Sequence, residues 1–297
     1  MTTEKSPCPD VRRIPIVISL DQNYYWYVKT MLNSLFEKRN EHVFYEIIAL
    51  VRGLNAGAKE DIAKYIASKD NASIRFMEVP SVYFEKYDFP IYPLSEAAYY
   101  RLFIPSLLPE YEKIIYLDID IIVTGDIAEL YDQELGDCYL AAIPDIRFNA
   151  DANLRDYAEI ILGLPKTQPY FNSGILVMNL RQCREDRMEE KFLNLLGTLK
   201  SIQYHDQCIL NAGCFEKTLL LDYGWNFQLF DLDYLIDPAA FRGDVKIVHY
   251  LAEKPWRHPK HPNAQLWWKY HVPAQGSAPV TYSLTDAFTR LTVNTDK

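Results

Sequence analysis

The sequence is poor in glycine, with 11 in 297 residues, and in cysteine, with 5. With 49% hydrophobic and 24% charged residues, this excludes a collagen-like, low-complexity or disordered chain and leaves a globular one with a sizeable core. Cys8, Cys138, Cys183, Cys208 and Cys214 are odd in number and lack zinc-ligand spacing. They read as reduced thiols of a cytoplasmic protein, mostly small buried hydrophobes. Long apolar runs are also missing: nothing approaches the roughly 20 residues that span a bilayer, and the polar start reads as a tail without an export signal. Positive charge is the minority sign, 31 Lys plus Arg against 40 Asp plus Glu, and the net charge of −9 argues against nucleic-acid binding.

What the chain does have is alternation. Residues 14–20, 43–51 and 74–79 read as buried strands, separated by helical patterns at 24–36 (Tyr24, Val28, Met31, Leu32 and Leu35 on one face) and around Ile62, Tyr65 and Ile66. Further on, 95–108 and 181–200 read as single helices and 206–212 as a short one. Residues 113–123, 139–144, 174–180, 218–222 and 245–250 read as strands. This pattern predicts an α/β fold with a Rossmann-like, mostly parallel central sheet flanked by helices. Ligands of such sheets sit beyond the carboxyl ends of the strands.

The most informative stretch is Tyr116-Leu117-Asp118-Ile119-Asp120-Ile121-Ile122-Val123. In a continuous strand, Asp118 and Asp120 point to one face with Cα atoms roughly 6.6 Å apart. Two ionised carboxylates at roughly 5 Å repel by about 3 kcal/mol at an effective dielectric near 20, so a countercharge belongs between them. A divalent cation fits best, manganese or magnesium, because hard oxygen ligands suit it and it can also hold phosphates. Two acids paired with arginine, or capping the next helix, are the plainer alternative. A phosphatase of the haloacid dehalogenase type is a minor rival, weakened by Ile122 where its pattern has Thr or Val and by the late position of the pair.

From about Ile14 to Trp256 the chain resembles, in order, the glycosyltransferase family 8 enzymes, which are retaining sugar transferases. The matching segments are Asp21-Gln22-Asn23-Tyr24, Tyr99-Tyr100-Arg101-Leu102, the D-x-D itself, Tyr170-Phe171-Asn172-Ser173-Gly174, Tyr204-His205-Asp206-Gln207-Cys208, and His249-Tyr250 with Lys254-Pro255-Trp256. The resemblance implies a GT-A glycosyltransferase fold over residues 14–256, between an N-terminal tail (1–13) and a C-terminal extension (257–297). It implies a UDP-sugar donor, UDP-galactose or UDP-glucose, with the nucleotide on Asp21, Asn23, Tyr24, Arg101, Asp118, Ile119 and Lys254. It also implies Mn²⁺ on Asp118, Asp120 and His249, and the transferred hexose on Asp145, Asn172, Asp206 and Gln207. Gln207 and Asp206 are the implied catalytic pair; an amide is a poor nucleophile, which favours same-face attack over a covalent intermediate.

Two departures stand out: Cys208 follows Gln207 where many relatives carry an acid, and Leu251-Ala252-Glu253 lacks the usual glycine and is one residue short. The expected acceptor is a saccharide or a glycolipid of the lipopolysaccharide-building kind. A self-glycosylating primer protein, with one of the 22 tyrosines as acceptor, and a non-catalytic nucleotide-sugar binding protein are the rival functions. Trp267-Trp268-Lys269-Tyr270 allows weak contact with a membrane surface, but sparse positive charge argues against firm attachment.

Overall fold

A computed structural model describes residues 11–40, 42–86, 89, 95–229, 244–251, 254–257 and 264–273. Cys8 and most of the expected tail, Ala252 and Glu253, and residues 258–263 and 274–297 of the expected extension lie outside the described residues. The described residues include the strands β1 (Arg12–Leu20), β2 (Val43–Val51), β3 (Ala72–Glu78), β4 (Lys113–Leu117), β5 (Ile121–Val123), β6 (Leu140–Pro144), β7 (Phe171–Asn179), β8 (Thr218–Leu220), β9 (Phe227–Leu229) and β10 (Ile247–Tyr250). They form a seven-stranded sheet in the order β3-β2-β1-β4-β7-β6-β8 and a three-stranded sheet in the order β5-β10-β9.

The central strands are apolar throughout because both faces are covered. Ile14, Ile16, Ile18 and Leu20 of β1 face a core shared with helices Tyr25–Glu37 and Ala56–Ala67, while Val17 joins the opposite core with Tyr99, Tyr100 and Phe103. Each such aliphatic side chain contributes about 1.5–3 kcal/mol by burial. The two helices are joined by the Lys29–Asp61 ion pair at 2.9 Å, and Asn55 caps the second by accepting from the Ala58 amide.

In the large sheet β1 runs parallel to β2 and β4, β2 to β3, and β6 to β8. β7 runs antiparallel to both neighbours, β4 and β6. The sheet is mostly parallel, as expected, but this reversal places the beginning of β7 at the edge where β4 ends.

Three expected elements are divided. The run 113–123 is two strands in different sheets: Leu117 pairs with Ile175 of β7, whereas Ile121 pairs with His249 of β10. The stretches on either side of the two acids, 114–117 and 121–123, are both apolar because both are buried, so alternation could not reveal the change of partner. The stretch 95–108 is a 3₁₀ segment, Glu96–Phe103, followed by a short α-helix, Ile104–Leu107. Pro105 lacks the N–H that a continuous helix would need there, yet fits a first turn. The stretch 181–200 breaks into Leu180–Glu185 and Met188–Thr198 at Arg187, whose φ of 50° ends the first helix. At this break the Asp186 carboxylate accepts from Tyr139 Oη (2.8 Å) and Lys217 Nζ (3.0 Å).

Candidate active site

The change of sheet at Asp118-Ile119-Asp120 builds one end of the site. The Asp118 amide donates to Gly174 O (2.8 Å), the last contact with the large sheet, and Asp120 O accepts from the Tyr250 amide of the small one (3.0 Å). The acids therefore converge by crossing between sheets, in place of the expected strand alternation. Ligand atoms of Asp118, Asp120 and His249 lie within 4.8 Å of one another. Two hard carboxylates and one imidazole suit a divalent ion of the manganese or magnesium kind. Gly174 makes room for the cluster: a Cβ there would stand 2.3 Å from His249 Cε1 and 2.8 Å from Asp118 Oδ2.

Each acid has a cation of its own. Arg101 Nη2 (2.9 Å) and Tyr116 Oη (3.0 Å) both donate to Asp118 Oδ1, which leaves Oδ2 toward His249 Nε2 at 3.9 Å. Asp120 Oδ1 lies 3.2 Å from His249 Nε2, and Asp120 Oδ2 accepts from Lys254 Nζ at 2.6 Å. Lys254, implied on the diphosphate, thus sits on Asp120 and also bonds the Tyr250 carbonyl. Burial alone would raise the Asp120 carboxyl, but Lys254 and then His249 outweigh it and hold the group well below the usual range. For Arg101 burial favours loss of the proton, and Asp118 and Asp206 overcome it, so the guanidinium stays charged.

The other end of the site is a buried amide and carboxylate wall. Arg101 Nε lies 3.1 Å from Asp206 Oδ2, and Arg101 Nη1 donates to Ser173 O at 2.5 Å. Ser173 Oγ donates to Asp206 Oδ2 (3.0 Å), and the Ser173 amide to Gln207 Oε1 (3.0 Å). Gln207 Nε2 and Asn172 Nδ2 both reach Asp145 Oδ2 at 3.3 Å. Asp145 Oδ1 also caps the helix Ile146–Ala150 by accepting from the Phe148 amide, which leaves Oδ2 to Gln207 and Asn172. Burial raises the Asp206 carboxyl, and Arg101 opposes that only in part.

Helix His205–Cys214 carries Asp206 and Gln207 and is fastened by Asn211, which accepts from the Phe171 amide and donates to Phe171 O, both at 2.8 Å. The wall is thereby tied to the first residue of β7. Cys208 points away into a cluster with Phe148, Tyr157 and Tyr170, its sulfur 3.4 Å from both tyrosine hydroxyls. Burial pushes its thiol up, which suits packing and not nucleophilic chemistry.

The structure thus brings together Arg101, Asp118, Asp120, Asp145, Asn172, Asp206, Gln207, His249 and Lys254. Asp21, Asn23 and Tyr24 follow the carboxyl end of β1, and their side-chain hydrogen bonds go to one another and to Arg257. Asp21 Oδ1 accepts from the Asn23 and Tyr24 amides, each at 2.8 Å. Tyr24 packs edge-on against Trp256 and accepts from Arg257 Nη2. The Ile119 side chain is buried in the core, leaving its backbone on the site's side. Tyr116, Ser173 and Asn226 also shape the site, although the sequence had not singled them out. Tyr116 and Ser173 adjoin recognised segments and were within reach of that signal.

The Glycosyl transferase family 8 profile matches residues 15–259. General stress protein A of Bacillus subtilis (strain 168) is 27% identical over 271 residues, 86% of this chain and 92% of its own. A lipopolysaccharide 1,2-glucosyltransferase of Escherichia coli is 31% identical over 179 residues, 56% of this chain and 50% of its own. Among solved structures, the apo bifunctional glycosyltransferase WbbM superposes with a TM-score of 0.77 at 25% identity, over 90% of this chain and 50% of WbbM. The galactosyltransferase LgtC, solved with donor and acceptor sugar analogues, gives a TM-score of 0.74 at 24% identity over 88% and 98%. The latter likeness is one of fold, the GT-A arrangement.

Proposed function

The chain belongs to glycosyl transferase family 8, and from that premise we propose a retaining transferase that moves a hexose from UDP-galactose or UDP-glucose to a saccharide or glycolipid acceptor with Mn²⁺. The observation that carries this reading is that one arginine, Arg101, joins an Asp118–Asp120–His249 group able to hold a cation to a buried wall of carboxylate and amide side chains. A nucleotide sugar has the matching parts, a diphosphate joined to a hexose. Four free thiols among the described residues support a reducing, cytoplasmic setting.

Asp118 Oδ2, Asp120 and His249 Nε2 would hold the ion, which supplies Lewis-acid charge stabilisation to the departing diphosphate. Arg101 is fixed in place by Asp118, Asp206 and Ser173 and adds permanent positive charge beside the breaking bond. Lys254, now on Asp120, would exchange that partner for diphosphate oxygens. Asp145, Asn172 and Asp206 would bind sugar hydroxyls. Gln207 Oε1 accepts one backbone N–H and keeps a second lone pair for the positive charge at the anomeric carbon. The anomeric carbon–phosphate oxygen bond breaks, the acceptor oxygen bonds from the same face, and the acceptor proton passes to a diphosphate oxygen. A panel of UDP-sugars tested for UDP release with Mn²⁺, and again with EDTA, checks the reading. Release from UDP-galactose or UDP-glucose that EDTA abolishes is expected, and equal release with chelator would overturn it.

A further inference from the structure

The hydrogen-bond pattern behind His249 carries an inference that rests on the proposed cation site and goes beyond its ligands. Asn226 is fully buried at the end of a 3₁₀ turn, Tyr223–Asn226. Asp222 begins that turn by accepting from the Gly224 amide, and Gly224 O accepts from the Lys246 amide just before β10. A Cβ on Gly224 would stand 2.3 Å from the Asp244 carbonyl, so this close approach needs glycine. The clamp lays Asn226 beside His249, with Asn226 Oδ1 3.0 Å from His249 Nδ1.

Which hydrogen lies between them follows from a chain of fixed donors. The Gly174 amide can only donate, and it donates to Asn172 Oδ1 at 3.0 Å. Asn172 Nδ2 faces the Asp145 carboxylate, in agreement with that orientation. Asn226 lies 2.8 Å from the same Asn172 oxygen and must therefore present its Nδ2 there. Turned the other way, it would set two acceptor oxygens against each other. Asn226 Oδ1 is left facing His249, and an amide oxygen only accepts, so Nδ1 of the ring carries hydrogen. Nε2, the atom toward Asp118 and Asp120, is then the one available to a metal.

We infer that Asn226 is a positioning residue of the cation site: through Asn172 and the Gly174 amide it fixes hydrogen on His249 Nδ1 and reserves Nε2 for the ion. The sugar wall and the cation end thus share a residue, since Asn172 belongs to both.

The test begins with full-length protein stripped of metal, with ¹⁵N-labelled histidine read by NMR and His249 assigned by its loss in His249→Gln. Nδ1 of His249 should carry a hydrogen whether or not Nε2 does; a bare Nδ1 overturns the relay without any metal being added. Mn²⁺ affinity is then read by the paramagnetic resonance of free ion. Asn226→Ala should weaken binding about 10- to 100-fold, the usual scale for a residue behind a metal histidine. Asn226→Asp keeps the acceptor for Nδ1–H but sets a carboxylate oxygen against Asn172 Oδ1, so it should lose affinity, though clearly less than Asn226→Ala. Unchanged affinity in Asn226→Ala, or equal loss in both variants when both are folded, overturns the inference. A parent protein that binds no Mn²⁺ while His249 keeps hydrogen on Nδ1 overturns the proposed function and leaves the relay standing.

Discussion

The two ends of the site are built on opposite plans. At the cation end the acids are partly open to solvent, with side-chain exposures of 25% for Asp118 and 18% for Asp120, and one countercharge, Lys254, is a point charge on a flexible four-carbon stem. At the sugar end Asp145, Asn172, Ser173, Asp206 and Gln207 are all buried and bond mainly to one another. The first end leaves its acids within reach of solvent, whereas the second is closed by its own hydrogen bonds. In the proposed reaction, polyvalent charge would be taken up and released in each cycle, whereas a hexose would be told from its neighbours by the placement of single hydroxyls. Pre-aligned donors and acceptors suit that task because they need no reorganisation when the sugar arrives.

The sharpest test of this contrast is Asp120→Ala, which should remove metal-dependent UDP release by about 10²–10³-fold, as expected when a Lewis acid worth several kcal/mol is lost. The variant should still fold, as read by circular dichroism, and activity equal to the parent would reject the cation assignment. Gln207→Ala probes the rigid end. We expect kcat to fall about 100-fold with UDP affinity measured by calorimetry unchanged, because only the sugar half has lost a partner. A matching loss of UDP affinity would show that the halves are not separate.

Lys254→Gln should act in two directions. With the competing ammonium gone from Asp120, Mn²⁺ binding without nucleotide should tighten about tenfold while UDP binding weakens by a similar factor. Parallel changes would contradict an exchangeable countercharge. Asp186 is a reference carboxylate outside both halves, held down to about 2 by Tyr139 first and then by Lys217 and Gln182. Its folded value lies below the ordinary one of about 3.9, so its contribution is complete above about pH 4 and disappears as the pH falls through 2. Asp186→Asn should lower the melting temperature by about 1–3 °C at pH 7, with the difference closing toward pH 2 and activity untouched.

The cation end was the more legible half in the sequence, because two acids inside an apolar run are costly and conspicuous. Even there the geometry was hidden: the segments before and after the acids are apolar whether the strand continues or changes sheets, so the two acids could be read as lying within one strand. The sugar wall was visible only as a resemblance, since Asp145, Asn172 and Gln207 are distant in sequence and carry no charge pattern of their own. Asn226 gave no signal at all. An asparagine after tryptophan in a turn is ordinary, and its meaning comes from Gly174 and His249, 52 residues before it and 23 after. The reversal of β7 was likewise absent from a pattern that reads alike for either strand direction.

Asp118 hangs from the large sheet, while Asp120 and His249 belong to the small one. Chelation by all three would rivet the two sheets at a single point, and by mass action it would suppress any opening that parts them. Protease resistance and amide exchange in β9 and β10 should therefore follow free Mn²⁺, with β2 and β3 indifferent to it. The concentration of an inorganic nutrient would then set how long the molecule survives as well as how fast it works.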